Sequence, residues 1–534
     1  MLHSRRRVAP LVLLLLGIIL LKQSSLLGDG LLSSAAGAGA AQTSPTGRYA
    51  VVIVLDGARP GYFNLAPMPN LQALMHRGVT YQHAFVGQML ANTPPSHATI
   101  GTGVLPKHHG IEGFLWEDPS TGQMVDPTQT GNVLHGDLER VISSHHSPTL
   151  AGQMKKSYPR SHAVSVSAHK CYASDAMGTA STDYILCALI YHGRWVAQAV
   201  GVHRPPPGAI NNPRWDVPIP PRTAGFGPAV QQWTVGTENA WTMRYARWAF
   251  ERVHYPRLMM INLSETDVLG HFTTNPAIIG KLMVQFDAEL GRLVGDYRRA
   301  GLLDRTDFVI TADHGMDRIS TTVPYSTLSQ SVALAGTSPV YIEHDTAAAL
   351  GITNNSKALL VAQNVFRLGG PPVDATYYKL KTNQGRWRYR LAASRRGLSA
   401  RLLNAYVTLA NTSAASSGPD VLAIFAPHAS SRALVAYGYP WQAGHLGPQW
   451  DDQHIPLIIA GPGVRQGLVS AYPARLVDIA PTVERLLGTS SGSVDGVVLD
   501  DALLDRTREA DAMQAARGHR LGPIVSVLKH RSGY

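Results

Sequence analysis

Three short apolar runs, far apart in the chain, each lead into acidic or imidazole side chains. Residues 50–55 run into Asp56-Gly57, residues 258–263 pass through Ser264 into Glu265-Thr266-Asp267-Val268-Leu269-Gly270-His271, and residues 308–312 end in Asp313-His314-Gly315. A single Asp after a strand is most often a turn former or a helix cap. Three at one edge of a sheet carry more weight, because ligands of open α/β sheets gather beyond the carboxyl ends of strands. His445, in Gly444-His445-Leu446-Gly447, shortly precedes a fourth run, residues 455–460, and is placed to join the others from a loop. Mixed carboxylate and imidazole donors suit zinc, with manganese or iron as alternatives.

Between the first two runs lies Asn92-Thr93-Pro94-Pro95-Ser96-His97. Proline is tolerated in the first turn of a helix, so Thr93 reads as an N-cap, where free backbone N–H groups and the helix dipole draw an anion. A purely structural cap is the competing reading. His97, His108 and His109 read as packing or hydrogen-bonding residues rather than ligands, and His454 with Asp451 and Asp452 as an acidic turn before a strand. Phe114, Trp116, Tyr184 and Trp195 are candidates for a stacking wall, against the commoner role of large aromatics as core.

The elements that position these residues follow from the same pattern. Continuous rather than alternating apolar runs are typical of strands buried on both faces. Between the second and third, Ile279, Leu282, Met283, Phe286, Leu290, Leu293, Val294 and Tyr297 keep helical spacing behind Asn275-Pro276. Strand, helix, strand is a crossover unit, so the expected fold is α/β, a mainly parallel central sheet with helices on both faces. Residues 48–490 read as one catalytic domain. Two stretches within it fit less well, 167–221 and 319–441, and read as insertions that shape the substrate pocket. Residues 491–534 read as a C-terminal tail.

Arg5, Arg6 and Arg7 precede the apolar run 8–21, which Lys22 follows. That is the order of an export signal, shorter than the about 20 residues a bilayer-spanning helix needs. Ala38-Gly39-Ala40 supplies a cleavage signature far beyond the run, so residues 1–47 read as an export signal or signal-anchor with a linker. The expectation is an extracytoplasmic protein, secreted or membrane-anchored. Cys171 and Cys187 would there close a short loop worth about 3 kcal/mol, two buried free thiols being the alternative. The formal net charge of +11 suits anionic substrates. No dense Lys/Arg block follows the first three arginines, so no nucleic-acid partner is expected.

Taken together, the Leu55-Asp56-Gly57 strand end, Thr93-x-Pro95-x-His97, His108-His109-Gly110-Ile111, Glu265-x-Asp267-x-x-Gly270-His271 and Ala312-Asp313-His314-Gly315-Met316 form a familiar series. With Gly444-His445 ahead of IPLIIAGPGV and the closing Asp478-Ile479-Ala480-Pro481-Thr482, the chain from Tyr49 to Gly488 resembles the nucleotide pyrophosphatase/phosphodiesterases of the alkaline-phosphatase superfamily. The resemblance implies that Asp56, Asp313 and His314 hold one zinc, on which the Thr93 hydroxyl sits, and that Asp267, His271 and His445 hold a second. Two divalent ions about 4 Å apart clamp the attacking and leaving oxygens of an in-line displacement. A cation also lowers the pKa of a coordinated hydroxyl, which makes Thr93 a nucleophile without a histidine base.

The implied activity is hydrolysis of phosphodiester or pyrophosphate bonds in small phosphate esters or nucleotide-like substrates, through a phosphoryl group on Thr93. The family reading also places an asparagine three residues after the nucleophile, where this chain has Ser96; Ser96 and Asn92 are therefore the candidate substrate contacts. Sulfatase activity is not expected, since the modifiable cysteine or serine at the nucleophile position and its downstream arginine are both missing. No basic residue lies within 92–98, which argues for a diester, phosphonate or pyrophosphate over a monoester. The alternatives are a phosphomonoesterase or phosphonate hydrolase on the same two metals, then a phosphoethanolamine-type transferase, then a metal-binding protein without turnover.

Overall fold

The computed structural model describes residues 47–534 apart from 130–133, 219–234, 433–434, 437–438 and 506, so residues 1–46, the bulk of the stretch read as an export signal or signal-anchor, lie outside the described residues. Among the described residues no helix is long and apolar enough to cross a membrane. The apolar runs meet in a sheet whose strand order is Leu468–Ser470, Gly78–Tyr81, Leu457–Ala460, Thr306–Thr311, Tyr49–Leu55, Leu258–Leu263, Ala163–Val166, Tyr184–Tyr191, Arg194–Ala199 and Val217–Pro218. From Thr306–Thr311 to Tyr184–Tyr191 every pairing is parallel. Each residue of Tyr49–Leu55, Leu258–Leu263 and Thr306–Thr311 is buried, which is why these runs are apolar throughout instead of alternating.

Register decides where the chemistry sits. Leu55 lies opposite Leu263 and Val54 opposite Thr311, so the three parallel strands stop within a residue of one another. The fourth run is antiparallel, with Leu457 opposite Thr311. Its start therefore lies at the edge where the others end, and the loop preceding it, with His445, arrives at the same place. The expected crossover helix is Pro276–Arg299; its N-cap Asn275 accepts from Ala277 N–H, and Ile279, Leu282, Met283, Phe286, Leu290, Leu293 and Tyr297 are buried.

The stretch 167–221, read as a pocket-shaping insertion, also contributes to the main sheet: its strands Tyr184–Tyr191, Arg194–Ala199 and Val217–Pro218 extend one edge. A disulfide joins Cys171, first residue of the helix Cys171–Gly178, to Cys187 in the neighbouring strand. The stretch 319–441 forms a second, antiparallel sheet in the order Pro339–His344, Ala347–Ile352, Val421–Phe425, Val373–Lys381, Trp387–Ser394.

The residues read as a tail end in the helix Arg508–Arg531. Its Leu521, Val525 and Leu528 are buried in one cluster with Leu402, Tyr406 and Leu409, and Arg531 donates to both oxygens of Asp374 at 2.7 and 2.8 Å. Gly518, Gly522 and Pro523 dilute the apolar spacing of this helix, which hides it in the sequence.

Candidate active site

The strand ends and the 444–447 loop bring the six Asp and His side chains together as two buried trios. In the first, His314 Nε2 lies 3.5 Å from Asp56 Oδ1 and 3.4 Å from Asp313 Oδ2. In the second, His271 Nε2 and His445 Nε2 lie 3.2 and 3.4 Å from Asp267 Oδ1. The His314 and His445 rings stack at 3.6 Å and so join the trios. Gly57 makes the close approach feasible: its φ is +69°, and a Cβ there would come within 2.9 Å of Asp267 Cα.

The donor chemistry fits divalent cations. Asp267 Oδ1 and Asp313 Oδ2 are buried and receive no hydrogen bond. Each histidine has a backbone carbonyl 2.9 Å from Nδ1: Ala443 for His271, Gly315 for His314 and Ala91 for His445. A carbonyl only accepts, so the proton sits on Nδ1 and the Nε2 lone pair of every ring faces its trio, the orientation a metal-ligating imidazole requires. Burial, with Asp56 next to it, pushes the Asp313 carboxyl up, so the site favours added positive charge.

Thr93 sits at the edge of the first trio, its Oγ1 3.3 Å from His314 Nε2. It is not the helix cap. The helix is Thr93–Thr102, and the capping bond runs from Thr93 N–H to Asn92 Oδ1 at 3.0 Å, which leaves the threonine hydroxyl to the site. Nor does this helix offer free N–H groups to an anion, as the sequence suggested. Thr93 N–H is taken by that cap, Pro94 and Pro95 have none, and Ser96 N–H goes to Asn92 O at 3.1 Å.

Positive charge comes from Lys170, which sequence reasoning missed. Its buried ammonium lies 2.9 Å from Asp56 Oδ1 and 2.7 Å from Asp267 Oδ2, between the trios. Burial opposes ionisation of Asp56, but the Lys170 ammonium beside it outweighs burial and holds the carboxyl below its ordinary value. The strand leading to Lys170, Ala163–Val166, has four residues including a serine, too weak a run to register as a fourth strand end.

These groups open into a cavity of about 440 Å³. Of the candidate substrate contacts, Asn92 lines it, while Ser96 is buried away from the lining with its hydroxyl 3.3 Å from Gln88 Nε2. Of the proposed stacking wall, Phe114 is present; Trp116, Tyr184 and Trp195 belong to hydrophobic clusters elsewhere. Tyr172, edge-on to Phe114 at 5.4 Å, and Trp441, stacked on His271 at 3.9 Å, take their place. Glu343 and Arg432, both from the inserted segment, complete the charged lining.

The discounted residues have structural partners. His97 spans Thr93 O and Asn262 Oδ1 at 2.9 and 3.1 Å, His109 lies 3.1 Å from Thr99 Oγ1, and His108 pairs with Asp495 at 2.6 Å. His454 stacks on Trp450, and Asp451 pairs with Arg59.

Residues 50–415 match the family described as type I phosphodiesterase / nucleotide pyrophosphatase, and the chain belongs to that family. It is thus a metal-dependent hydrolase of phosphoester bonds with an alkaline-phosphatase-like fold. The alkaline phosphatase PhoK of Sphingomonas sp. is 26% identical over 502 residues, covering 80% of this chain and 86% of that protein. The bis(5'-adenosyl)-triphosphatase enpp4 of Xenopus laevis is 23% identical over 274 residues, covering 51% of this chain and 47% of that one. Among solved structures, human ectonucleotide pyrophosphatase / phosphodiesterase 5 superposes with a TM-score of 0.57 at 15% identity, covering 86% of this chain and all of that one. The alkaline phosphatase PafA superposes with a TM-score of 0.60 at 16% identity, over 86% of this chain and 99% of that one.

Proposed function

We propose that Thr93 is the nucleophile of an exported phosphoester hydrolase and that its preferred substrates are small phosphate monoesters. Asp56, Asp313 and His314 would hold one divalent cation and Asp267, His271 and His445 a second, with zinc the ion best suited to these donors. Such ions lower the pKa of the Thr93 hydroxyl and offset charge on the leaving oxygen. The rest is done by the chain. Thr93 Oγ, its proton released to solvent, attacks phosphorus; the ester oxygen departs with the electron pair of its P–O bond and takes up a proton from water, and a second water then cleaves the Thr93–phosphoryl bond, giving inorganic phosphate and returning a proton to Oγ.

The observation that carries the monoester reading is Lys170. Residues 92–98 hold no basic side chain, which by itself favours a diester, but the fold brings Lys170 into the same cavity lining as Thr93. Once cations neutralise Asp56 and Asp267, the ammonium is released toward the non-bridging oxygens, and a dianionic phosphoryl group gains most from it. Hydrolysis of diesters or pyrophosphates, supported by the family match, is the second reading.

The test is acid quenching during turnover of p-nitrophenyl phosphate, which should trap a phosphoryl group on the Thr93 peptide. Thr93→Ala should retain its metals and lose several orders of magnitude in turnover, with Thr93→Ser partly active. Near-normal turnover by folded, metal-loaded Thr93→Ala would return Thr93 to a structural role. A bis(p-nitrophenyl) phosphate rate above the monoester rate would favour the second reading.

A further inference from the structure

We propose that Glu343, reaching into the cavity from the edge strand of the inserted sheet, is the specificity-determining residue for the organic part of the substrate. It selects phosphate esters whose alcohol is uncharged or cationic over those carrying a further phosphate or carboxylate. The proposal rests on reading this cavity as the phosphoester site. With the trios and Thr93 at the reacting phosphorus, the esterified alcohol lies against the rest of the lining, where Glu343 stands beside Phe114 and Tyr172.

The polar N–H groups around Phe114 that could receive a second anion are turned to Glu343. Phe114 N–H lies 3.2 and 3.1 Å from its two carboxylate oxygens, and the Asn92 amide NH2 donates to Oε1. The neighbouring backbone is shaped around this carboxylate: a Cβ on Gly113 would overlap Glu343 Oε2. An anionic substituent arriving here meets donors already satisfied and a like charge.

Each cation of the cavity faces a carboxylate. Lys170 stands between Asp56 and Asp267, and in the metal-loaded site it is committed to the non-bridging phosphoryl oxygens rather than to the alcohol. The Arg432 guanidinium is 3.3 Å from Asp345 Oδ2 and lies over the Trp441 ring at 4.9 Å. His344 is pushed down to about 4 by burial and Arg432, so it is neutral at physiological pH. Burial lifts the Glu343 carboxyl to about 7, against bonds from Phe114 and Leu115 N–H, so it is mainly ionised in alkaline buffer. The edge-to-face Phe114 and Tyr172 rings add π surface, which accepts an apolar or cationic group and gives nothing to an anion.

The experiment compares the metal-loaded full chain with its Glu343→Gln and Glu343→Asp variants at pH 8.5, using phosphocholine and 3-phosphoglycerate as cationic and anionic monoesters. The ratio of kcat/KM for phosphocholine to that for 3-phosphoglycerate should fall by about tenfold or more in Glu343→Gln. Glu343→Asp, which keeps the charge while giving up the reach to Asn92, should hold the ratio near that of the wild type. An equal change for both substrates in Glu343→Gln would reduce Glu343 to a support for Asn92 and overturn the proposal. If the wild type hydrolyses no monoester, the reading of the site fails on its own. Titration calorimetry with the same two compounds as ligands then decides the selectivity, an unchanged affinity ratio in Glu343→Gln counting against it.

Discussion

Lys170 Nζ lies 2.7 Å from Asp267 Oδ2, so this ammonium in the cavity lining is bound to a carboxylate of the second trio. A metal-loaded site turns that competitor into a phosphoryl contact. Lys170→Ala should therefore bind cations at least as tightly as the wild type, because a competing charge is gone. Its kcat/KM for a monoester should fall by about 10- to 100-fold, the worth of one charge-assisted hydrogen bond, and for a diester by less. Equal losses on p-nitrophenyl phosphate and its bis ester would mean that Lys170 supports the fold and not the dianion.

Metal removal should cost stability as well as activity. Without cations the first trio buries Asp56 and Asp313 side by side, and Asp313 Oδ2 and Asp267 Oδ1 receive no hydrogen bond. Purified protein should contain about two ions per chain, and chelation should abolish turnover and lower the thermal midpoint, both restored by zinc. Asp313→Ala should lose turnover while remaining folded. Full activity in protein shown by elemental analysis to be metal-free would sink the two-cation reading.

What the sequence disclosed and what it hid follow one rule. Side chains that follow long, fully buried strands were legible, because Tyr49–Leu55, Leu258–Leu263 and Thr306–Thr311 announce themselves as apolar runs and parallel register then aligns Asp56, Asp267 and Asp313. Thr93 was legible as a site residue but misread as a cap, since only the hydrogen bond to Asn92 Oδ1 shows which of two adjacent polar residues closes the helix. Lys170, Glu343 and Trp441 were hidden because tertiary folding brings them in from a short strand, an edge strand of the inserted sheet and a loop, none of which carries a local signal of nearness to Thr93. Asn262 did leave a trace, a buried amide within the otherwise apolar LMMINL, and its Nδ2 lies 3.3 Å from Asp56 Oδ2.

The disulfide bears on the same lysine. Cys171 directly follows Lys170, and its bond to Cys187 fixes the start of the helix Cys171–Gly178 to the main sheet. With the cysteines 16 positions apart in the chain, the cross-link is worth about 3 kcal/mol. The double variant Cys171→Ala, Cys187→Ala should unfold at lower denaturant concentration by that amount. If the bond also positions Lys170, its monoester rate should drop more than its diester rate. A stability loss with unchanged substrate preference would confine the disulfide to the scaffold.

Glu112 gives a pH prediction independent of the metals. Its carboxyl is buried; Oε1 accepts from Ser417 Oγ at 3.0 Å, while Oε2 has no hydrogen-bond partner. Burial outweighs the Ser413 and Ser417 hydroxyls and Lys379 and lifts the group from 4.5 to about 7. The sign follows from proton counting: between these values the folded chain holds a proton that the unfolded chain has released, so raising the pH favours unfolding. The contribution is most favourable below 4.5 and is lost as pH rises through 7, which leaves a penalty of about 3 kcal/mol at pH 8. Glu112→Gln keeps the shape and removes the titration. The variant should therefore melt higher than the wild type at pH 8, with most of the difference gone at pH 5 and nearly all of it below pH 4.5. Calorimetry of both proteins at each pH, with zinc present throughout, cancels the contribution of the metal ligands, which the two proteins share. A variant less stable than wild type at pH 8 would show that Glu112 is ionised and favourably paired in the folded state.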